Sequence, residues 1–170
     1  MKIIVVMHNI RSCQNVGAIL RTCEGFGVSQ VIFSGYTPRI DDNRVLPHLR
    51  EKLNKQIHKT ALGAEEMVYW RVSEDIFENF REMEEQGWRL VGLENNIDDA
   101  RLISLRDSEK VAELGEKVVL VLGEEVKGIP LDVREKMDAF LEIPMVGRKE
   151  SFNVSVATGV ALFALTGVGK

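Results

Sequence analysis

Short apolar runs rich in β-branched residues alternate along the chain with stretches whose apolar positions recur at helical spacing. The runs KIIVVM (2–7), QVIFS (30–34), EMVYWRV (66–72), WRLVGLE (88–94), VVLVLG (118–123) and AFLEIP (139–144) read as strands. Val118–Leu122 is apolar at every position, so that strand is expected to be covered on both faces. This predicts an α/β fold, a parallel sheet with helices on both faces. Val16, Ile19, Leu20, Cys23 and Phe26 mark the apolar stripe of a first helix. SEDIFENFREMEEQG (73–87) predicts a second, with Ser73 as its N-cap and Ile76, Phe80 and Met83 facing inward. A last helix is predicted over Ser151–Leu165, apolar almost all round, and so either buried or met by a partner subunit.

Composition narrows this picture. At 170 residues the chain fits one domain, with no internal repeat or linker. No apolar run approaches the roughly 20 residues of a membrane helix. The opening MKIIVVMHNI is too short for a signal sequence, so a cytoplasmic protein with no membrane partner is expected. Cys13 and Cys23 lie ten apart with no clustered His, which predicts free thiols and no metal. The net charge of −4 is uneven: Tyr36–Thr60 holds six basic residues and three acidic ones. That stretch reads equally as a phosphate-facing patch or as a solvated helix and loop.

Three clusters exceed what the fold requires. In NIRSCQNVGAILRTCEGFGV (9–28), Gly17, Arg21 and Gly25 share a helix face distinct from the apolar stripe. Glycine inside a helix costs about 1 kcal/mol relative to alanine, so two on one face imply close approach, by a ligand or by another helix. Asn15 stands near the start of that helix, where a cap or turn role is the simple account, and Asn9 and Arg11 precede it at the carboxyl end of the first strand. VVLVLGEEVKGIP (118–130) runs from a buried strand into a glycine loop where Glu124 or Glu125 could face a ligand; a surface turn with solvated acids is the alternative. In IPMVGRKESFNVSVATGVALFAL (143–165), Ser151 can cap the helix, while Asn153 and Ser155 bring polar groups into it that need partners.

Neither a GxGxxG after the first strand nor a GxxxxGK[ST] occurs, and GxSxG and HExxH are also absent. In their order, the three clusters resemble the motifs of the SpoU/TrmH branch of the SPOUT RNA methyltransferases. N-x-G-x-x-x-R is met by Asn15, Gly17 and Arg21, and L-G-x-E-x-x-G by Leu122, Gly123, Glu124 and Gly128. I-P-M-x-G-x-x-x-S-[LF]-N-V-S is met by Ile143, Pro144, Met145, Gly147, Ser151, Phe152, Asn153, Val154 and Ser155, with Phe152 where leucine is more usual.

The resemblance implies a C-terminal deep trefoil knot, a homodimer through the first and last helices, and a single domain over 1–170 without a separate RNA-binding domain. It implies S-adenosylmethionine bent among the knotted loops at Leu93, Leu122, Gly123, Glu124, Gly128, Ile143 and Met145, with Ser151, Phe152 and Asn153 closing the pocket. The implied reaction is methyl transfer to a ribose 2′-hydroxyl of tRNA or rRNA. Arg21 would serve as base or orienting group, Glu124 and Asn153 would organise the pocket, and Asn15 would brace the motif-one loop. RNA would meet Arg11, Arg39, Arg44, Lys55 and Lys59. A catalytically silent RNA-binding or ribosome-assembly factor is the alternative reading.

Overall fold

In the computed structural model, which describes residues 1–167, the chain runs β1 (Lys2–His8), α1 (Cys13–Gly25), β2 (Gln30–Ser34), α2 (Pro47–Ala61), α3 (Ala64–Met67), β3 (Trp70–Ser73) and α4 (Ile76–Glu85). It continues through β4 (Arg89–Leu93), β5 (Leu102–Ser104), α5 (Ser108–Ala112), β6 (Lys117–Leu122), α6 (Leu131–Arg134), β7 (Ala139–Glu142) and α7 (Val154–Thr166). The last three residues of the expected domain, 168–170, lie outside the described residues. The strands form one seven-stranded sheet in the order β3-β2-β1-β6-β4-β7-β5. Every strand pairing is parallel.

The sheet divides two cores, and β6 shows why its sequence carries no polar position. Val118, Leu120 and Leu122 pack on the face covered by α1, α2 and α7, beside Val16, Ile19, Leu20, Ile57 and Leu162. Val119 and Val121 pack on the other, beside Ile76, Phe80 and Met83 of α4 and Val133 of α6. Alternate side chains of a strand point to opposite faces, so both faces are filled. Among the motif-one glycines, Gly17 serves helix packing: a Cβ there would overlap Thr60 Oγ1 and the Ile57 carbonyl of α2, whereas a Cβ at Gly25 would meet nothing within 4 Å.

Several expected boundaries move. The first part of EMVYWRV is helical in α3, and the strand begins at Trp70. Ser73 ends β3 and accepts a 2.6 Å hydrogen bond from Asn79 Nδ2. Asp75 caps α4 instead, accepting from the Phe77 and Glu78 N–H groups at 2.8 and 3.2 Å, because a carboxylate can serve two free donors of a first turn at once. At the last helix Asn153, not Ser151, is the N-cap; Ser151 and Phe152 remain in an exposed, irregular segment. Strand β5, three residues long, was too short to show a period. Nor is α7 buried all round: Thr158, Ala161, Leu162 and Leu165 face the core, while Val156, Val160 and Phe163 are 51, 40 and 55% exposed.

The segment after β7, where the knot is expected, lies against the residues after β4. Asn95 treats Ile143 as a strand neighbour would, accepting its N–H at 3.1 Å and donating to its carbonyl at 2.8 Å. Asn96 donates to the Glu150 carbonyl at 2.8 Å.

Candidate active site

Parallel α/β sheets place ligand-binding loops at the carboxyl ends of their strands. Here the segments following β4, β6 and β7 enclose a cavity of about 400 Å³. Gly123, directly after β6, has no room for a side chain: a Cβ would overlap the backbone of Gly128 and Ile129. The loop closes on itself through two backbone bonds, Glu124 N–H to Gly128 O at 3.1 Å and Gly128 N–H to Glu124 O at 2.9 Å. Gly128 has φ +69°, and a Cβ there would overlap Glu94 Oε2. Both glycines therefore keep main chain and a carboxylate at the cavity wall.

A relay of side chains joins the three motif loops. Glu125 accepts from the Arg11 and Ser12 N–H groups at 3.1 and 3.2 Å and from Asn15 Nδ2 at 2.8 Å. Asn15 Oδ1 in turn accepts from Asn153 Nδ2 at 3.2 Å. Asn153 Oδ1 accepts from the Ser155 N–H at 2.9 Å and its hydroxyl at 2.7 Å. Ser155 thus finds its partner locally, half-exposed, and not inside a buried helix. Burial by itself would raise the Glu125 carboxyl, but the hydrogen bonds from Asn15 and from the backbone of Arg11, Glu125 and Ser12 outweigh it and hold its pKa below the ordinary carboxylate value. Ser12 is the actual N-cap of α1, its Oγ accepting from the Asn15 N–H at 3.3 Å.

Of the expected cofactor residues, Leu93, Gly123, Glu124, Gly128, Ile143, Ser151, Phe152 and Asn153 border the cavity. Leu122 and Met145 do not: Leu122, the last residue of β6, is wholly buried in the core, and Met145 stands outside the lining. The Ile143 backbone is already engaged by Asn95, leaving its side chain to shape the wall. Glu124 borders the cavity and pairs with Arg11 Nη1 at 3.3 Å. Counting the second motif strictly from Leu122 and Gly123 places its glutamate at 125, and in the structure Glu125 is the one that clamps the start of α1, while Glu124 borders the cavity. Glu94 and Asn95 were also missed; a polar pair directly after a strand's carboxyl end was the available signal.

Arg21 is exposed on α1, outside the cavity lining, and makes no hydrogen bond or ion pair among the described residues. It neighbours the contact with α7, where a Cβ on Gly159 would lie 3.7 Å from Thr22. At the ends of β1 and β2, Asn9, at φ +61°, accepts the Tyr36 N–H at 3.2 Å. Asn9 Nδ2 donates to His8 Nε2 at 3.1 Å, so His8 Nδ1–H donates to Ser34 Oγ, also at 3.1 Å. Burial lowers the His8 pKa, opposed by the field of Asp132.

The expected RNA-facing cations divide. Arg39 bonds to Asp42 at 3.4 Å and Glu74 at 3.0 Å, and Arg44 grips Asp42 at 2.6–3.1 Å and the Gly35 carbonyl at 3.2 Å. Arg44 holds its own loop together and Arg39 also ties that loop to Glu74, which a count of charges does not reveal. The Asp42 carboxyl is driven far below the ordinary carboxylate range, chiefly by hydrogen bonds from Arg44. Lys55 pairs with Glu51 at 2.6 Å, while Lys59 is exposed on α2. Among the described residues no group of three or more His, Cys, Asp or Glu could hold a metal ion, and no helix is long and apolar enough to cross a membrane.

A family model described as the SpoU rRNA Methylase family matches residues 2–163. A 23S rRNA (guanosine-2′-O-)-methyltransferase RlmB from Xanthomonas axonopodis pv. citri is 32% identical over 161 residues, 95% of this chain and 57% of that protein. An uncharacterized tRNA/rRNA methyltransferase from Borreliella burgdorferi is 28% identical over 162 residues, 95% of this chain and 62% of that protein. The chain thus spans a little over half the length of these curated relatives. Among solved structures, an AdoMet-bound rRNA methyltransferase from Sinorhizobium meliloti superposes with TM-score 0.77 at 22% identity, covering 99% of this chain and 57% of that one. The A. aeolicus TrmH/SpoU tRNA modifying enzyme superposes with TM-score 0.75 at 23% identity, covering 97% and 74%.

Proposed function

Because this chain belongs to the SpoU rRNA Methylase family, we propose that it is an S-adenosylmethionine-dependent methyltransferase acting on a ribose 2′-hydroxyl of rRNA or tRNA. The observation that carries this reading is the relay from Glu125 through Asn15 to Asn153, which ties all three motif loops around one cavity. Support also comes from relatives whose names specify guanosine-2′-O methylation and from a structural neighbour with AdoMet bound.

The residues present fit the cofactor. A volume of about 400 Å³ falls within the ordinary range of small-molecule sites. The glycine-only positions 123 and 128 expose main chain at the wall, and Leu93, Ile143 and Phe152 supply apolar surface for a nucleoside. When bound, S-adenosylmethionine supplies a methyl group activated by attachment to a positively charged sulfur. This chain's part is to position: a ribose hydroxyl is a weak nucleophile, and in-line transfer depends on alignment. A guanidinium has donors and no acceptor, so Arg21 holds the hydroxyl or its neighbouring phosphate in line. Asn153, fixed by Asn15 and capping α7, keeps the motif-three loop in place beside it.

Arg21 lies outside its own chain's cavity, so the reading includes a homodimer. The exposed apolar face of Val156, Val160 and Phe163 on α7 is the surface for it, and a copy docked there can lend its Arg21 to the partner's cavity. RNA meets the exposed Arg11, Lys55 and Lys59, while Arg39 and Arg44 are engaged with Asp42. The buried free thiols of Cys13 and Cys23 suit a reducing, cytoplasmic location.

The test is transfer of labelled methyl from S-adenosylmethionine to total RNA. Wild type should label RNA; Arg21→Ala should label none while still binding cofactor in calorimetry. Absence of labelling by wild type in every RNA would favour a silent RNA-binding factor.

A further inference from the structure

Among the described residues four side-chain carboxylates border the cavity, and three of them have partners in the protein or face solvent. Glu124 is paired with Arg11, Glu125 is held by three donors at the start of α1, and Glu150 is exposed to solvent. Glu94 differs. Its Oε2 accepts the Ile129 N–H at 2.8 Å, but among the described residues no Lys, Arg or His pairs with it. Arg134, whose field reaches Glu94, lies over the Phe140 ring at 5.8 Å from its centroid. Gly128 gives up its side chain to the space that Glu94 Oε2 occupies, so the carboxylate is seated deliberately against the cavity loop.

A half-buried carboxylate without a counter-ion is costly, and a ligand that brings positive charge removes that cost. Burial raises the Glu94 pKa, opposed by the N–H groups of Ile129 and Asn95 and by Arg134, as expected of a charge lacking its partner. S-adenosylmethionine carries a sulfonium; S-adenosylhomocysteine, left after methyl transfer, does not. The two are otherwise alike in size and hydrogen-bonding groups.

Resting on the cofactor reading above, we propose that Glu94 is the counter-ion for the sulfonium, and that this single carboxylate makes the site hold the methyl donor in preference to its neutral product. The preference favours product release once the methyl has left. Glu94 is therefore a specificity residue for the cofactor's charge state.

Calorimetry on the full chain tests this without any turnover. The probes are S-adenosylmethionine, S-adenosylhomocysteine and sinefungin, in which a protonated amine replaces the sulfonium. Glu94→Gln keeps the size of the side chain and an acceptor for the Ile129 N–H. It should weaken S-adenosylmethionine and sinefungin by about tenfold or more, as expected for loss of one close charge pair, and leave S-adenosylhomocysteine within about twofold. Far-ultraviolet circular dichroism and an unchanged S-adenosylhomocysteine affinity together report that the variant is folded. Equal weakening of all three ligands, or no weakening of any, would overturn the proposal. Wild type binding none of the three would instead remove the cofactor reading itself, a distinct result.

Discussion

The cavity rim and the loop over residues 35–46 are built from the same kinds of side chain, yet they use them differently. At the rim, amides and carboxylates bridge distant parts of the chain: Glu125 reaches Asn15, Asn15 reaches Asn153, and Asn95 reaches Ile143. In the loop the charges mostly meet close neighbours, Asp42 with Arg39 and Arg44, although Arg39 also reaches Glu74. Long-range ties leave a space bounded by fixed groups, which a ligand can enter. Local ties spend charge on the loop's own shape and leave less of it for a phosphate.

The largest expected effect breaks the rim. Gly123→Ala drives a Cβ into the backbone of Gly128 and Ile129, where no side chain can swing away. It should cost about 3 kcal/mol or more, lowering Tm by about 6–12 °C in a chain of this size, and abolish calorimetric cofactor binding. Next comes the loop. Asp42 is 3% exposed, and Asp42→Asn leaves Arg39 and Arg44 without their shared anion. About 2 kcal/mol of stability should be lost, with cofactor affinity unchanged, so that denaturation separates the two regions cleanly.

The same residue gives the sign of a pH effect. The Asp42 carboxyl is lowered in the folded protein, so the unfolded chain binds its proton first as pH falls, and stability rises with pH in that range. Its contribution is complete above the unfolded value of about 4 and is lost as pH falls toward the folded pKa. Urea midpoints of wild type should therefore drop more steeply below about pH 4 than those of Asp42→Asn.

Asn15→Ala is a smaller structural insult to the rim, about 1 kcal/mol for bonds that face solvent, but it cuts the relay. Methyl transfer should fall far more than thermal stability does. The smallest effect lies on the surface proposed to meet RNA. Lys59→Ala should change stability by less than about 0.5 kcal/mol and reduce the salt dependence of RNA affinity by about one phosphate contact. Arg39→Ala should instead behave as a stability variant, because its guanidinium is already engaged.

The layer architecture was legible because burial leaves a periodic trace: β6 had to be covered on both faces, and it is. The three motif loops were legible as clusters of glycine and polar residues at strand ends. Partnership was not. Glu124 and Glu125 differ by one position, and only the fold shows which of them faces the start of α1. Ser151 and Asn153 are equally good caps in isolation; Asn153 wins because its other amide group meets Asn15. Gly17 and Gly25 looked alike until α2 was found against only the first. Arg39 and Arg44 counted as free charge because nothing in the chain's order says that Asp42 folds back between them. Arg21 stands apart from its own chain's cavity, and its spacing from Gly17 and Gly25 on one helix face carried no sign of which loops that face would meet.

The most direct test of the account is the chemical position of the transferred methyl. RNA labelled by the wild-type protein with S-adenosylmethionine should be hydrolysed in alkali and its products separated. A methyl on the 2′-oxygen blocks cleavage at the adjoining phosphodiester, so the label should appear in alkali-stable dinucleotides. Label appearing only in mononucleotides would place the methyl on a base and contradict the account.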